Sequence, residues 1–123
     1  MSSTQVFNHL PLSGKTAIIT GASRGIGAHM AKEFARQGAH IAIVYHSDSS
    51  TEKAEDVASQ VRSFGQRATV IKADLRDLDS GERIVTAARK DLNIDRIDIL
   101  VNNAGSDAPP SAAVEFNPEV FDQ

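Results

Sequence analysis

Cysteine is absent from the 123 residues. Its absence excludes disulfides, a thiol nucleophile and cysteine-ligated zinc or iron–sulfur centres, and it suits a reducing compartment. Long apolar runs are lacking as well. The longest, Ile41–Tyr45, is far too short to cross a bilayer. The opening stretch Met1–Leu12 has neither the basic start nor the continuous apolar segment of a secretory signal. Neither sign of charge dominates: thirteen basic residues against sixteen acidic ones leave −3, which points away from nucleic acid and anionic membranes as partners. With no repeat or low-complexity stretch to suggest otherwise, the expectation is one soluble, cytoplasmic domain, of a length just sufficient for its own core.

What the chain does contain is a glycine-rich turn, Thr20-Gly21-Ala22-Ser23-Arg24-Gly25-Ile26-Gly27, directly behind the apolar run Thr16–Ile19. A short β-branched run reads as a buried strand, and the pattern after the turn reads as a helix. Glycines at that junction let the chain reverse tightly, bring backbone N–H groups up to a pyrophosphate and pack the helix against the strand. The helix N-terminus adds unpaired donors and partial positive charge. This stretch is therefore a candidate dinucleotide site.

The rest of the chain alternates. A polar, flexible arm over residues 1–13 leads to a first strand near Lys15–Thr20, and residues 14–123 form the domain. Ile26, Met30 and Phe34 recur every fourth residue beside Ala31 and Ala35, which predicts an amphipathic helix ended by Gly38. Ile41–Tyr45 is a second strand, and Ser49-x-x-Glu52 is a candidate capping box for a helix with Ala54, Val57, Ala58 and Val61 inward and Gly65 at its end. A third strand covers Ala68–Ala73. A third helix, capped by Asp77 or Asp79, carries Ile84, Val85, Ala88 and Leu92, and a fourth strand covers Ile97–Val101. Asn117-Pro118-Glu119 reads as the start of a fourth helix. The order β-α-β-α-β-α-β predicts a parallel sheet with helices on both faces.

The octet Thr20–Gly27, with its G-x-x-x-G-x-G spacing, and the segment Asn102-Asn103-Ala104-Gly105 after the fourth apolar run together resemble the two signatures of the classical short-chain dehydrogenase/reductase family. The resemblance implies a Rossmann-like doubly wound α/β sheet, here truncated after the fourth strand, and hydride transfer between a nicotinamide and a carbonyl or alcohol carbon. It sets Gly21, Ser23, Arg24, Gly25, Ile26 and Gly27 around the cofactor phosphates. It sets His46 and Ser47 near a 2′-phosphate, Asp74 at the adenine amino group, Asn102 as a tie between the fourth strand and its neighbours, and Ala104 and Gly105 along the riboses. Arg24 is either a surface arginine or a forked partner of the NADP 2′-phosphate. Where NAD-preferring members carry an acidic residue, this chain has Tyr45, followed by His46 and Ser47; Asp48 is the discordant residue. NADP(H) is thus expected ahead of NAD(H).

The family's catalytic serine and Tyr-x-x-x-Lys pair are not in this chain. Its one tyrosine, Tyr45, is followed four residues later by Ser49. No catalytic residue and no metal site is assigned, and the chain is expected to be the cofactor-binding half of a longer oxidoreductase, inactive on its own, with its small carbonyl or alcohol substrate unread. The alternative expectations are a non-catalytic nucleotide-binding or interaction module, with an apolar fourth strand open to self-association, or a non-functional truncation. A Rossmann-like domain for FAD or a methyl donor would fit the glycine loop but not Asn102–Gly105.

Overall fold

In the computed structural model, residues 10–103 are described. Strands β1 (Thr16–Thr20), β2 (His40–Tyr45), β3 (Ala68–Lys72) and β4 (Ile99–Val101) alternate with helices α1 (Gly25–Arg36), α2 (Thr51–Ser63) and α3 (Ser80–Leu92). All strand pairs are parallel, in the order β3-β2-β1-β4, so the direction of winding reverses beside β1. This is the doubly wound α/β arrangement read from the sequence. The fourth-helix segment at 117–119 lies outside the described residues.

Strand alternation divides the core into two layers. Ala17, Ile19, Ile41, Ile43 and Tyr45 face α1 and α2, meeting Ala31 and Ala35 of α1 and Ala54, Val57, Ala58 and Val61 of α2. Ile18, Ala42 and Val44 face α3, meeting Ile84, Val85, Ala88 and Leu92. The two central strands are covered on both faces, which is why they read as unbroken apolar runs.

Ile26 departs from the expected stripe, with 71% of its surface exposed. The buried line of α1 runs instead through Gly27, Ala28, Ala31 and Ala35, with Met30 and Phe34 half-buried on its flank. The helix lies so near the sheet that only small residues fit beneath it. That leaves Ile26, in the first turn, at the mouth of the loop.

Helix ends also differ from expectation. No Ser49–Glu52 capping box forms. A 3₁₀ turn over Asp48–Ser50 precedes α2, Ser47 Oγ accepts the Ser49 N–H at 3.2 Å, and Ser50 takes the N-cap position without a side-chain cap bond. Asp79 occupies the N-cap of α3, but its side chain makes no cap bond; Asp77 and Asp79 both pair with Arg83 instead. Asn93, at φ 54°, closes α3 in the left-handed region.

β4 is shorter than expected because Ile97 and Asp98 lie outside its regular ladder. Ile97 is fully buried, and Asp98 takes part in a reciprocal clip with β1: its N–H donates to Thr16 O at 2.9 Å while its carboxylate accepts the Thr16 N–H at 3.0 Å. Residues 10–13 form a turn against the C-terminal end of α1, with the Leu12 N–H donating to Gln37 O at 2.8 Å.

Candidate functional site

β1 delivers the chain into the glycine loop at the carboxyl edge of the sheet. Gly25 has φ 63°, a conformation that side chains rarely adopt, and it opens α1 immediately after the extended Arg24. Gly27 is constrained by space. A Cβ there would lie 2.3 Å from Gly21 O and 2.6 Å from Asn103 Nδ2. The first turn of α1 carries no acidic residue, so its free N–H groups and partial positive charge stay available to an anion.

Above this turn is a cleft of about 590 Å³. The structure brings together Gly21, Ser23, Arg24, Gly25 and Ile26 from the loop, His46 and Ser47 from the end of β2, and Ser50, all lining it. No aspartate or glutamate is among the lining residues. Gly27 lies beneath the loop as packing, buried. Ala104 and Gly105 lie outside the described residues.

Asp74 sits between two residues that line the cleft, Ala73 and Leu75, with its carboxylate already engaged. Arg76 donates to it through Nε at 3.0 Å and a terminal guanidinium nitrogen at 2.9 Å, and through its backbone N–H at 3.0 Å. These hydrogen bonds hold the carboxyl well below the usual carboxylate range. His46 Nε2 stands 3.6 Å away. The sequence offered a turn-forming aspartate or an adenine acceptor, and the turn is present.

Asn102 is on the other face. Its Oδ1 accepts from the Thr20 hydroxyl at 3.2 Å, a side-chain contact between the segment after β4 and the end of β1, and it borders a smaller cavity of about 190 Å³ against α3. The residue that reaches the main cleft is Asn103, whose Nδ2 donates to Gly21 O at 3.4 Å. Sequence reasoning passed over Asn103. The available signal was strand alternation, which puts neighbours on opposite faces and so aims one of the two asparagines at the glycine loop. Tyr45 is buried, and its hydroxyl accepts from Thr51 Oγ1 at 3.2 Å.

Taken together, a parallel sheet, a glycine turn into a helix N-terminus and a carboxylate-free cleft at the switch point define a nucleotide-binding domain of the Rossmann kind. Residues 15–123 match the short chain dehydrogenase family, and the chain belongs to that family. It is 49% identical over 94 residues to the short-chain dehydrogenase/reductase FrzI of Cladobotryum sp, covering 76% of this chain and 35% of that one. Among solved structures it is similar to a blue fluorescent protein from a metagenomic library in complex with NADPH (41% identity, TM-score 0.70, 76% of this chain and 37% of that one). It is also similar to carveol dehydrogenase from Mycobacterium avium in complex with NAD (30% identity, TM-score 0.68, 76% and 36%). The chain thus spans about a third of the length of the curated relatives it matches. Among the described residues, no helix is long and apolar enough to cross a membrane, and no cluster of metal-ligating side chains occurs.

Proposed function

We propose that this chain forms the dinucleotide-binding part of an oxidoreductase that transfers hydride between a nicotinamide and a small carbonyl or alcohol substrate, with NADP(H) favoured over NAD(H). The observation that carries the reading is the cleft itself. Gly21, Ser23, Arg24, Gly25 and Ile26, from the turn and the N-terminus of α1, line one volume that has no aspartate or glutamate among its lining residues. That set fits a pyrophosphate. His46, Ser47 and Ser50 line the same cleft, and neutral or basic donors suit an additional phosphate where an acidic residue would repel it. Asn103 would hold the loop in its binding shape, and Asp74 would meet the adenine. Ala104 and Gly105 would follow the riboses. The nicotinamide would supply the hydride, and residues 14–123 would make up the cofactor domain.

Titration of the chain with NADPH and with NADH, followed by nicotinamide fluorescence, tests this. NADPH should bind more tightly, and Arg24→Ala should weaken NADPH by roughly 10- to 100-fold, as expected for a lost charge-assisted hydrogen bond, while NADH changes far less. Equal affinity for the two would remove the NADP preference. No binding of either would remove the site.

A second reading is a non-catalytic interaction module. It draws on β4, an edge of the sheet that pairs only with β1 among the described residues. A concentration-dependent dimer in sedimentation would support it.

A further inference from the structure

Asp48 is the residue that fits the cofactor reading least, and the structure gives its charge a partner. It opens the 3₁₀ turn between two residues that line the cleft, Ser47 and Ser50, and its side chain is 87% exposed. Lys72, the last residue of β3, stands in register with Tyr45 of β2 and donates through Nζ to Asp48 Oδ1. The hydrogen bond to Asp48 pushes the lysine above its ordinary value, favouring its charged form. Of the charged groups near the end of β2, Asp74 is occupied by Arg76, with His46 beside it. Asp48 is the remaining acid in that loop, and Lys72 is its ion-pair partner.

We infer that Lys72 is a positioning residue for cofactor choice: by pairing with Asp48 it keeps an acidic loop compatible with a 2′-phosphate. The inference rests on the dinucleotide reading above. Its physical content is a local cancellation of charge. An unpaired carboxylate in this loop repels the phosphate of NADPH but has little to act on in NADH, which lacks that group. In water a unit charge at about 8 Å from a phosphate dianion changes affinity by roughly 3- to 10-fold, and added salt reduces the effect. The direct strength of an exposed ion pair is slight. What matters here is the sign of the field it leaves behind.

The test is a set of variants of the full chain, Lys72→Ala, Lys72→Arg, Asp48→Asn and the double variant Lys72→Ala/Asp48→Asn, each titrated with NADPH and NADH at low and high salt. Thermal melts run alongside show that each variant is folded. Lys72→Ala should raise the NADPH dissociation constant about 3- to 10-fold and leave NADH within about twofold. Lys72→Arg should behave as the wild type. Asp48→Asn should restore NADPH binding in the Lys72→Ala background, which a merely structural role for the lysine would not do. An equal change for both cofactors, or no restoration by Asp48→Asn, overturns the inference. Tight NADPH binding by both wild type and Lys72→Ala also overturns it and leaves the dinucleotide reading standing. A wild type that binds neither cofactor overturns that reading and this inference together.

Discussion

The Thr20 hydroxyl accepts the backbone N–H of Asn103 at 2.9 Å and lies 3.2 Å from Asn102 Oδ1 and 3.4 Å from Val101 O. One side chain thus ties the end of the glycine-loop strand to the segment after β4. Thr16 and Asp98 make a second tie at the other end of the same strand pair. With only three residues in its ladder, β4 depends on these flanking bonds for its register.

Replacing Thr20 by Val keeps the shape and removes the hydroxyl, leaving the Asn103 N–H without this acceptor in a partly buried position. The expected loss of stability is about 1–3 kcal/mol, with Thr20→Ser retaining most of the bond. Urea unfolding of the two variants measures it. An unchanged midpoint in Thr20→Val would mean that solvent reaches the site and replaces the hydroxyl.

Gly27 and Gly81 give a matched comparison, since both are helical and only one is crowded. A methyl group at Gly27 collides with backbone at Gly21 and with the Asn103 amide, whereas one at Gly81 meets nothing within 4 Å. Gly27→Ala should therefore cost about 1–3 kcal/mol through forced backbone shifts and weaken dinucleotide binding by opening the loop. Gly81→Ala should stabilise the chain by up to roughly 1 kcal/mol and leave binding alone. Thermal unfolding and NADPH titration of both variants distinguish the two outcomes.

Much of this architecture is legible in the sequence because its causes are local or periodic. The apolar, largely β-branched runs of β1 and β2 report burial on both faces, and the alternation of strand and helix then admits few topologies. The glycine loop is legible for a related reason, since each glycine answers a demand of the turn it occupies. The misreadings fall where tertiary distance overrides a local pattern. Ile26 continues an apolar four-residue spacing, yet the close approach of α1 to the sheet moves the buried line onto glycine and alanine. Ser49 and Glu52 have capping-box spacing, but the 3₁₀ turn puts Ser49 beside Ser47 instead. Asp74 and Arg76, and Asp48 and Lys72, are charge pairings made by loop geometry that no periodicity encodes.

His40 gives the fold a pH dependence whose sign follows from its geometry. Its Nδ1 accepts the backbone N–H of Arg67 at 3.0 Å, which requires the ring nitrogen to be unprotonated. The Arg67 guanidinium in turn donates to Leu92 O at 2.8 Å and Asn93 O at 3.2 Å, so the start of β2 and the entry to β3 are linked to the end of α3. Burial first, and then the charge of Arg67, hold His40 below its ordinary value. The folded chain therefore binds the His40 proton less readily than the unfolded chain does. The stability associated with the neutral ring is fully present above the ordinary histidine value of about 6.5 and is lost as pH falls through the lower value of the folded state. A thermal melt series from about pH 7.5 to 5 should show the midpoint falling, and His40→Asn, whose amide oxygen accepts without titrating, should flatten that part of the curve. A curve of unchanged slope in His40→Asn would assign the acid sensitivity to the carboxylates instead.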